Sequence, residues 1–357
     1  MPGYPLRFPT QPAGAFVTPT HSTPNRPAQD QLDIVAIGNA IVDVLAKADD
    51  DFLENEGLLK GGMQLIDADQ AESLYSRMGP GREISGGSAA NTLAGAAALG
   101  CRCAFVGQVA DDQLGAVFAH DIRANGVQFD TPARGGQPPT ARCLILVSPD
   151  GERTMNTFLG ASHYLPMASI GGGLIERARV LYLEGYMWDP AEPREVMREA
   201  IRIARAAGNT VAMTLSVNFI IELHRSDLQA LIDGGLVDIL FVNDEEVKCL
   251  VQNDDLEAAI AEVAPLVPLL VVTMGASGAA AFTGGERFTV AAEPVAKVVD
   301  TTGAGDLFAA GFLAGHVKGR SVEDCLRMGA IAAAEVISHY GARPEEDLMA
   351  RVNETLG

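Results

Sequence analysis

The sequence predicts an α/β fold with a mostly parallel, buried central sheet and a smaller β-sheet beside it. Short apolar runs recur along the chain, separated by polar or glycine-rich turns and by helical patterns. Strands that are apolar on both faces are typical of a parallel sheet covered by helices on both sides, which makes three layers. The six runs cover residues 34–38, 104–107, 180–183, 211–215, 239–242 and 269–273.

Two further stretches contain β-forming residues but do not fit this buried pattern. They cover residues of about 42–67 and about 134–160, and the second contains Pro149-Asp150-Gly151, a strong turn signal. We expect both stretches to contribute strands to a small antiparallel sheet outside the main one. A flap of that kind would serve as a lid over a bound ligand.

Composition indicates a globular protein with one large α/β domain, or one and a half. The chain has 357 residues, of which 48% are hydrophobic and 20% charged, enough to bury a large core. Residues 1–30 contain seven of the nineteen prolines and little apolar periodicity, so we expect a disordered leader there and a folded domain over 31–357. The formal net charge of −20 argues against nucleic acid as a partner, although a small anionic ligand remains compatible with it.

The sequence also bears on location and redox state. No apolar run approaches the ~18 residues of a membrane span, and residues 1–30 lack the hydrophobic core of a secretory signal, so no membrane association and a cytoplasmic location are expected. The cysteines are odd in number and contain no Cys-x-x-Cys pair, so we expect reduced, mostly buried thiols and no thiolate-bound metal. They are Cys101, Cys103, Cys143, Cys249 and Cys325.

The most informative motif lies near the C-terminal end, over residues 300–306. Gly303, Ala304 and Gly305 leave backbone N–H groups free at the start of a predicted helix, which favours an anion. Asp306 follows them at a position where a carboxylate can take a proton from a substrate hydroxyl beside a transferring phosphoryl group. The alternative is that Asp306 only caps a helix after a glycine-rich turn.

A second group of candidate residues suits the hydroxyls of a sugar. Gly86 and Gly87 open the Ala-rich helix that contains Asn91, and an amide side chain both donates and accepts hydrogen bonds. Asn39 and Asp43 follow the first predicted strand and are further candidates. Ordinary helix capping and a structural turn are the alternatives for the two segments.

Two more strand ends have polar or glycine-rich continuations. Asn243 and Glu246 are three residues apart, so they share one helical face and can jointly orient water around Mg²⁺; an N-cap with acids in the first turn is the alternative. Thr273 begins a loop with Gly275 and Gly278 that can pass beneath the phosphates of a donor. A P-loop is excluded because Gly-x-x-x-x-Gly-Lys-Ser/Thr is absent.

Together these motifs resemble the ribokinase (PfkB-type) family in order and spacing, over residues of about 33–345. The resemblance implies a ribokinase-like fold and an ATP-dependent kinase in which Asp306 is the catalytic base and residues 303–305 form the anion hole. It implies that Asn243 and Glu246 govern Mg²⁺ and phosphate placement, and that ATP lies along the 273–278 loop. The residues it assigns to the acceptor include Asn39, Asp43, Gly86, Gly87 and Asn91.

Within that family the chain looks most like the adenosine kinase branch. Residues 38–43 resemble its opening motif, and residues 151–156 resemble its lid strand, in which Arg153 neutralises the transferring phosphate. Tyr186 and Trp188 follow a strand where that branch places base-stacking aromatics, although Trp188 is equally compatible with the core. The resemblance therefore implies adenosine or another purine nucleoside as acceptor, with ribose, fructose or a keto-deoxy sugar acid as the alternative.

The sequence also bears on a bound cation, on the oligomeric state and on two other classes of protein. The resemblance suggests a monovalent cation such as K⁺ near Asp300 and Thr302, with Ser338 in the matching region. A monomer and a homodimer paired through the lid edge are both compatible with the sequence. A non-catalytic nucleotide sensor is disfavoured because it would not need Asp306, and a dinucleotide-binding dehydrogenase is disfavoured because no Gly-x-Gly-x-x-Gly follows the first strand.

Overall fold

The computed structural model describes residues 31–356, so the predicted leader over residues 1–30 lies outside the described residues. The strands are β1 Leu32–Ile37, β2 Ile41–Lys47, β3 Met63–Leu65, β4 Arg82–Gly86, β5 Cys103–Val106, β6 Val127–Gln128, β7 Ala141–Val147, β8 Arg153–Phe158, β9 Ala178–Glu184, β10 Thr210–Thr214, β11 Ile239–Asn243, β12 Leu269–Thr273, β13 Ala279–Thr283 and β14 Glu286–Val290. The helices are α1 Asp50–Asn55, α2 Ala68–Arg77, α3 Ser88–Ala98, α4 Gln113–Ala124, α5 Ala191–Ala207, α6 Asn218–Asp233, α7 Asp244–Val251, α8 Leu256–Val263, α9 Ala304–Val317, α10 Val322–Val336 and α11 Leu348–Leu356.

The large sheet has the strand order β14-β13-β12-β11-β10-β9-β1-β5-β6. Every pairing from β12 to β6 is parallel, and only β13 and β14 at one edge are antiparallel. All six predicted buried runs are strands of this sheet. The chain reverses its direction of travel across the sheet beside β1, and ligands of such sheets collect at the carboxyl ends of the strands near that point.

Helices cover both faces of the large sheet and create two cores. Alternate side chains of β1 enter different cores, as the period of two in a strand requires: Ile34 and Ala36 pack on one side, Val35 and Ile37 on the other. The first core contains residues of α3, α9 and α10, and the second contains residues of α5 to α8. The predicted three-layer α/β architecture is therefore confirmed.

The small sheet has the order β3-β8-β7-β2-β4, and it confirms the expectation of a second, smaller sheet. It is mixed rather than antiparallel, because β2 pairs with β7 and β3 pairs with β8 in parallel. The strands of each parallel pair are joined by long connections, which such pairing requires. β4 lies outside the two stretches identified in the sequence and pairs antiparallel with β2. Within residues 31–356 no helix is both long and apolar enough to cross a membrane.

Candidate active site

A cavity of about 540 Å³ lies between the carboxyl ends of the large sheet, the small sheet and the start of α9. Most of the residues that the sequence singled out line it, although they are spread over more than 260 positions of the chain. These are Asn39, Asp43, Gly87, Asn91, Tyr186, Asn243, Glu246, Thr273, Thr302, Gly303, Gly305 and Asp306. The fold therefore brings together side chains that follow β1, β9, β11 and β12 at a single edge of the sheet.

Asp306 is held by two side chains of α3. Ser88 Oγ donates to Asp306 Oδ1 at 2.6 Å, and Asn91 Nδ2 donates to Oδ2 at 2.9 Å. Burial raises the pKa of Asp306, and the two hydrogen bonds oppose that rise. Both oxygens are thus oriented, and the carboxylate is more basic than an exposed aspartate. It is suited to accept a proton inside the cavity.

The N-terminus of α9 has the features of an anion site. Its N-cap is Gly303, in a left-handed conformation with φ of 79°, and no side chain caps this end. Asp306 is the third residue of the helix, so the alternative that it serves as the capping residue is wrong. A Cβ added at Gly305 would meet no atom within 4 Å, so the backbone there faces open space. The N–H of Ala304 donates to the carbonyl oxygen of Thr301 at 3.2 Å, whereas those of Gly305 and Asp306 have no partner within the helix and suit an anion.

The candidate acceptor residues surround the other part of the cavity. Asn39 Oδ1 and Asn91 Oδ1 are both buried and have no hydrogen-bond partner. Buried amide oxygens of this kind are expected to accept hydrogen bonds from a ligand, because leaving them unpaired is costly. Burial raises the pKa of Asp43 to about 7, and the charges of Arg343 and Arg153 oppose that rise. These acceptors fit a ligand with several hydroxyl groups.

Gly86 and Gly87 allow close packing between two segments, a role that the sequence alone did not suggest. A Cβ at Gly86 would lie 2.4 Å from Asp43 Oδ2, and one at Gly87 would lie 2.3 Å from the carbonyl oxygen of Asn39. Gly87 also has φ of 95°, which side chains rarely adopt. The two glycines therefore let the start of α3 pack directly on the turn between β1 and β2.

Asn243 and Glu246 form a capping box at the start of α7, as the alternative interpretation expected. Asn243 Oδ1 accepts from the Glu246 N–H at 2.8 Å, and the Glu246 carboxylate accepts from Asn243 N at 3.1 Å and Nδ2 at 2.9 Å. Both side chains also line the cavity, and burial raises the pKa of Glu246 to about 7. A partly satisfied carboxylate of this kind fits Mg²⁺ held through water, and residues 31–356 contain no cluster of three metal-ligating side chains that would bind it directly.

The glycines of the 273–278 loop differ in their surroundings. Thr273 lines the cavity, and Gly275 has φ of 54° with open space around an added Cβ. Gly278, in contrast, would place a Cβ 2.0 Å from the carbonyl oxygen of Val290. Gly278 is therefore needed for the packing of β13 on β14, and only the first part of the loop faces the cavity.

Asp300 and Arg153 form a buried ion pair, with Arg153 Nη2 2.7 Å from Asp300 Oδ2. Asp300 also accepts from the N–H of Thr302 at 3.0 Å and from that of Gly341 at 2.9 Å. In this structure the positive partner of Asp300 is therefore a guanidinium, at the place where the resemblance implies a cation. Ser338 Oγ instead donates to the carbonyl oxygen of Glu335 at 2.6 Å.

The aromatic residues after β9 divide between the cavity and the core. Tyr186 lines the cavity and lies 6.4 Å from Phe219, measured between ring centroids. Trp188 is fully buried in the second core and does not line the cavity. The core interpretation of Trp188 is therefore correct, and the aromatic residue that accompanies Tyr186 in the cavity wall is Phe219.

Several cavity residues were missed from the sequence. Ser88 lies inside the segment that we singled out, and Glu184 is an acid at the end of a buried strand, so both had a signal. Phe219 had none, and neither did Arg343, which does not itself line the cavity. Arg343 donates to the carbonyl oxygens of Ser85, at 2.9 Å, and of Ala90, and so fastens the C-terminal loop to both ends of the 85–90 segment.

Comparisons with known proteins identify the family of this chain. Residues 57–348 match the model of the pfkB family carbohydrate kinases. Among solved structures, the chain is similar to an adenosine kinase from Sinorhizobium meliloti, with 49% identity, a TM-score of 0.85 and coverage of 91% of this chain and 99% of that chain. It is also similar to a probable sugar kinase from Rhizobium etli CFN 42, with 46% identity, a TM-score of 0.86 and coverage of 91% and 98%.

A more distant relative also matches over most of both chains. Adenosine kinase 1 of Arabidopsis thaliana is 26% identical over 339 residues, which cover 86% of this chain and 94% of that protein. Since the family model spans most of the chain, the assignment does not depend on any one relative. The chain belongs to the pfkB family of carbohydrate kinases and is a phosphotransferase that acts on an alcohol group.

Proposed function

We propose that this kinase transfers the γ-phosphate of ATP to the primary hydroxyl of a ribonucleoside, with adenosine as the expected acceptor. The observation that supports the nucleoside is the pair Tyr186 and Phe219 in the wall of the cavity that also contains Asp306. A purine ring stacked on an aromatic side chain contributes roughly 1–3 kcal/mol if stacking in nucleic-acid complexes is a fair guide. The 49% identity to an adenosine kinase points the same way.

In the proposed mechanism the protein mainly positions the reactants and stabilises charge. Asp306 takes the proton of the acceptor hydroxyl as its oxygen forms a bond to the γ-phosphorus, and the bond from that phosphorus to the bridging oxygen of ADP breaks. The N–H groups at the start of α9 stabilise the equatorial oxygens of the transferring group. Asn39 and Asn91 orient the acceptor through their unpaired amide oxygens.

The donor side of the cavity is assigned to ATP and Mg²⁺. Glu246 and Asn243 would orient the water shell of Mg²⁺, which supplies positive charge to the phosphates when it is bound. Thr273 and the open backbone at Gly275 would lie along the phosphates. Arg153 Nη1 is 3.5 Å from Thr302 Oγ1, so a guanidinium stands next to the cavity at the end where the phosphoryl group would transfer.

A sugar kinase is the second candidate. The two unpaired amide oxygens recognise hydroxyl groups whether or not a base is attached, and one similar structure is a probable sugar kinase with 46% identity. A coupled ADP-release assay with ATP and Mg²⁺ separates the candidates. The acceptor panel contains adenosine, inosine, guanosine, ribose, fructose and 2-keto-3-deoxygluconate. Turnover confined to nucleosides supports the proposal, whereas turnover only on free sugars would replace it with the second candidate.

A further inference from the structure

Glu184, the last residue of β9, is a buried carboxylate in the cavity wall to which no role has been assigned so far. It is 1% exposed. Its Oε1 accepts from Asn39 Nδ2 at 2.7 Å and from Asn39 N at 3.3 Å, and its Oε2 accepts from the N–H of Ala89 at 2.9 Å. One side chain therefore joins the turn after β1 to the start of α3.

The bond to Ala89 supplies a cap that the helix otherwise lacks. The N-cap of α3 is Gly87, and no side chain of the helix itself caps this end. Ala89 is the second residue of α3, so its N–H has no helical partner. Glu184 comes from a position 95 residues away in the chain and places a negative charge at the positive end of the helix.

The contact is tight enough to fix three segments relative to one another. A Cβ at Gly38 would lie 2.5 Å from Glu184 Oε2 and 2.6 Å from the Cβ of Ala89. Gly38 therefore has to be a glycine because the carboxylate and the helix both pack against its α-carbon. A substitution at Glu184 would therefore disturb both the turn after β1 and the start of α3.

Both segments that Glu184 joins contain residues of the proposed reaction. Because Asn39 Nδ2 donates to Glu184, its unpaired Oδ1 is left to face a ligand. The first turn of α3 carries Ser88 and Asn91, the two side chains that orient Asp306. We propose that ionised Glu184 is a positioning residue, which orients the acceptor-binding amide of Asn39 and anchors the α3 turn that holds the base.

Burial and hydrogen bonding act on the pKa of Glu184 in opposite directions. Burial raises its pKa to about 7, the three hydrogen bonds oppose the rise, and the charge of Asp306 adds to it. The other titratable groups that face it are the hydroxyls of Tyr182 and Tyr186. Protonation near neutral pH would remove one acceptor and weaken the anchoring of α3.

The first test is Glu184→Gln in the full-length enzyme, with steady-state kinetics on the acceptor that the panel identifies. The amide cannot accept from Ala89 while it also accepts from Asn39, so we expect the acceptor KM to rise by about tenfold or more. The KM for ATP should stay within about twofold, because the hydrogen bonds of Glu184 go to Asn39 and Ala89, on the acceptor side of the cavity. Glu184→Asp keeps the charge and should recover part of the acceptor affinity.

The matched control is Asp238→Asn. Asp238 is also a carboxylate that accepts from a backbone N–H, that of Val211 at 2.8 Å, but it precedes β11 at the opposite end of the sheet. The Asp238→Asn variant should be less stable, but the ratio of its acceptor KM to its ATP KM should not change. If the ratio of the acceptor KM to the ATP KM is the same in Glu184→Gln, in Asp238→Asn and in the unmodified enzyme, the proposal is overturned.

A second measurement needs neither a variant that folds nor a known substrate. In amide hydrogen exchange of the unmodified protein, the Ala89 N–H should be protected, because it donates to the buried carboxylate of Glu184. An Ala89 N–H that exchanges as fast as an exposed amide would overturn the proposal even if the variants fail to fold. Since the inference rests on the proposed function only for the choice of acceptor, turnover on sugars alone would refute that function and leave this exchange measurement decisive.

Discussion

The guanidinium of Arg153 lies 2.7 Å from the carboxylate of Asp300, and this ion pair joins the small sheet to the loop before α9. The two side chains are 8% and 4% exposed, so both charges are largely removed from water. Breaking such a pair on one side leaves a buried charge without compensation, which is strongly destabilising. The position of β8 and the conformation of the loop before α9 are therefore linked.

We expect Arg153→Ala to lower kcat more than it raises the acceptor KM, because the proposed mechanism places the transferring phosphoryl group beside this guanidinium. The control is Arg142→Ala, on the neighbouring strand β7, where the guanidinium pairs with Glu72 at 3.2 Å instead. Steady-state kinetics of both variants make the comparison. If Arg153→Ala keeps a kcat equal to that of Arg142→Ala, Arg153 has no part in the reaction.

Asp306→Asn should reduce kcat by at least ~10²-fold, since an amide cannot take the hydroxyl proton. The fold should persist, because Asn91 Nδ2 can still donate to the new amide oxygen in the place of Asp306 Oδ2. Ser88→Ala, which removes one orienting hydrogen bond but keeps the base, is expected to have a smaller effect. Rapid-quench measurement of phosphoryl transfer checks both, and near-normal turnover of Asp306→Asn would refute the assignment of the base.

Tyr186→Leu should weaken nucleoside binding selectively. Loss of one stacking contact of roughly 1–3 kcal/mol corresponds to a rise of about 5- to 150-fold in the nucleoside KM. Any turnover of a free sugar should change little, because a sugar has no base to stack. Trp188→Phe is the control, since Trp188 is in the core and away from the cavity. A nucleoside KM that Tyr186→Leu leaves unchanged would argue against a base pocket at this position.

Glu246→Gln should raise the Mg²⁺ concentration needed for half-maximal activity and leave the acceptor KM unchanged. The amide can still accept from Asn243, so the cap of α7 is kept in part, while the charge that would orient hydrated Mg²⁺ is lost. Initial rates at fixed ATP over a range of Mg²⁺ measure this. An unaltered Mg²⁺ dependence would place the metal elsewhere.

The buried carboxyl groups predict an unusual pH dependence of stability. Burial raises the pKa of Asp43, Glu184 and Glu246 to about 7, so the folded protein binds protons that the unfolded chain has released. The contribution of these groups to the free energy of unfolding is fully present below their pKa values in the unfolded chain, which are near 4. It is lost as pH rises through about 7, by at most roughly 1.4 kcal/mol per pH unit for each group.

Urea unfolding between about pH 6.5 and pH 8 isolates this effect. His163 and His316, whose pKa values burial lowers, contribute the opposite slope only below their ordinary value of 6.5. We expect the free energy of unfolding to fall across the window, and to fall less in Glu246→Gln. A free energy that stays level or rises would show that these three groups are ionised at lower pH.

Much of the fold was predictable because it depends on local patterns. The six apolar runs became six strands of the large sheet, since a segment that is apolar on both faces has only one stable place in an α/β protein. The small sheet was harder to predict. The stretches around β2 and β8 were identified, but β4 and the parallel pairings were not, because pairing partners are chosen by the long connections between strands.

For the candidate site, too, the identity of the residues was predictable and the contacts between them were not. The residue types at strand ends and helix starts were enough to identify Asp306, Asn91, Asn243 and the other candidate residues that line the cavity, because parallel strands place their carboxyl ends at one edge. Which of them touch could not be inferred. The pairing of Arg153 with Asp300 and the placement of Trp188 in the core depend on contacts between residues far apart in the chain.

The sequence by itself determined the fold class, the family resemblance and the set of candidate residues, because apolar periodicity and motif spacing are properties of the chain. The tertiary structure decided how those residues are paired, ionised and oriented. Glu184 illustrates the difference: its position at a strand end was visible, but its three hydrogen bonds and its raised pKa arise only when β1, α3 and β9 pack together and exclude water.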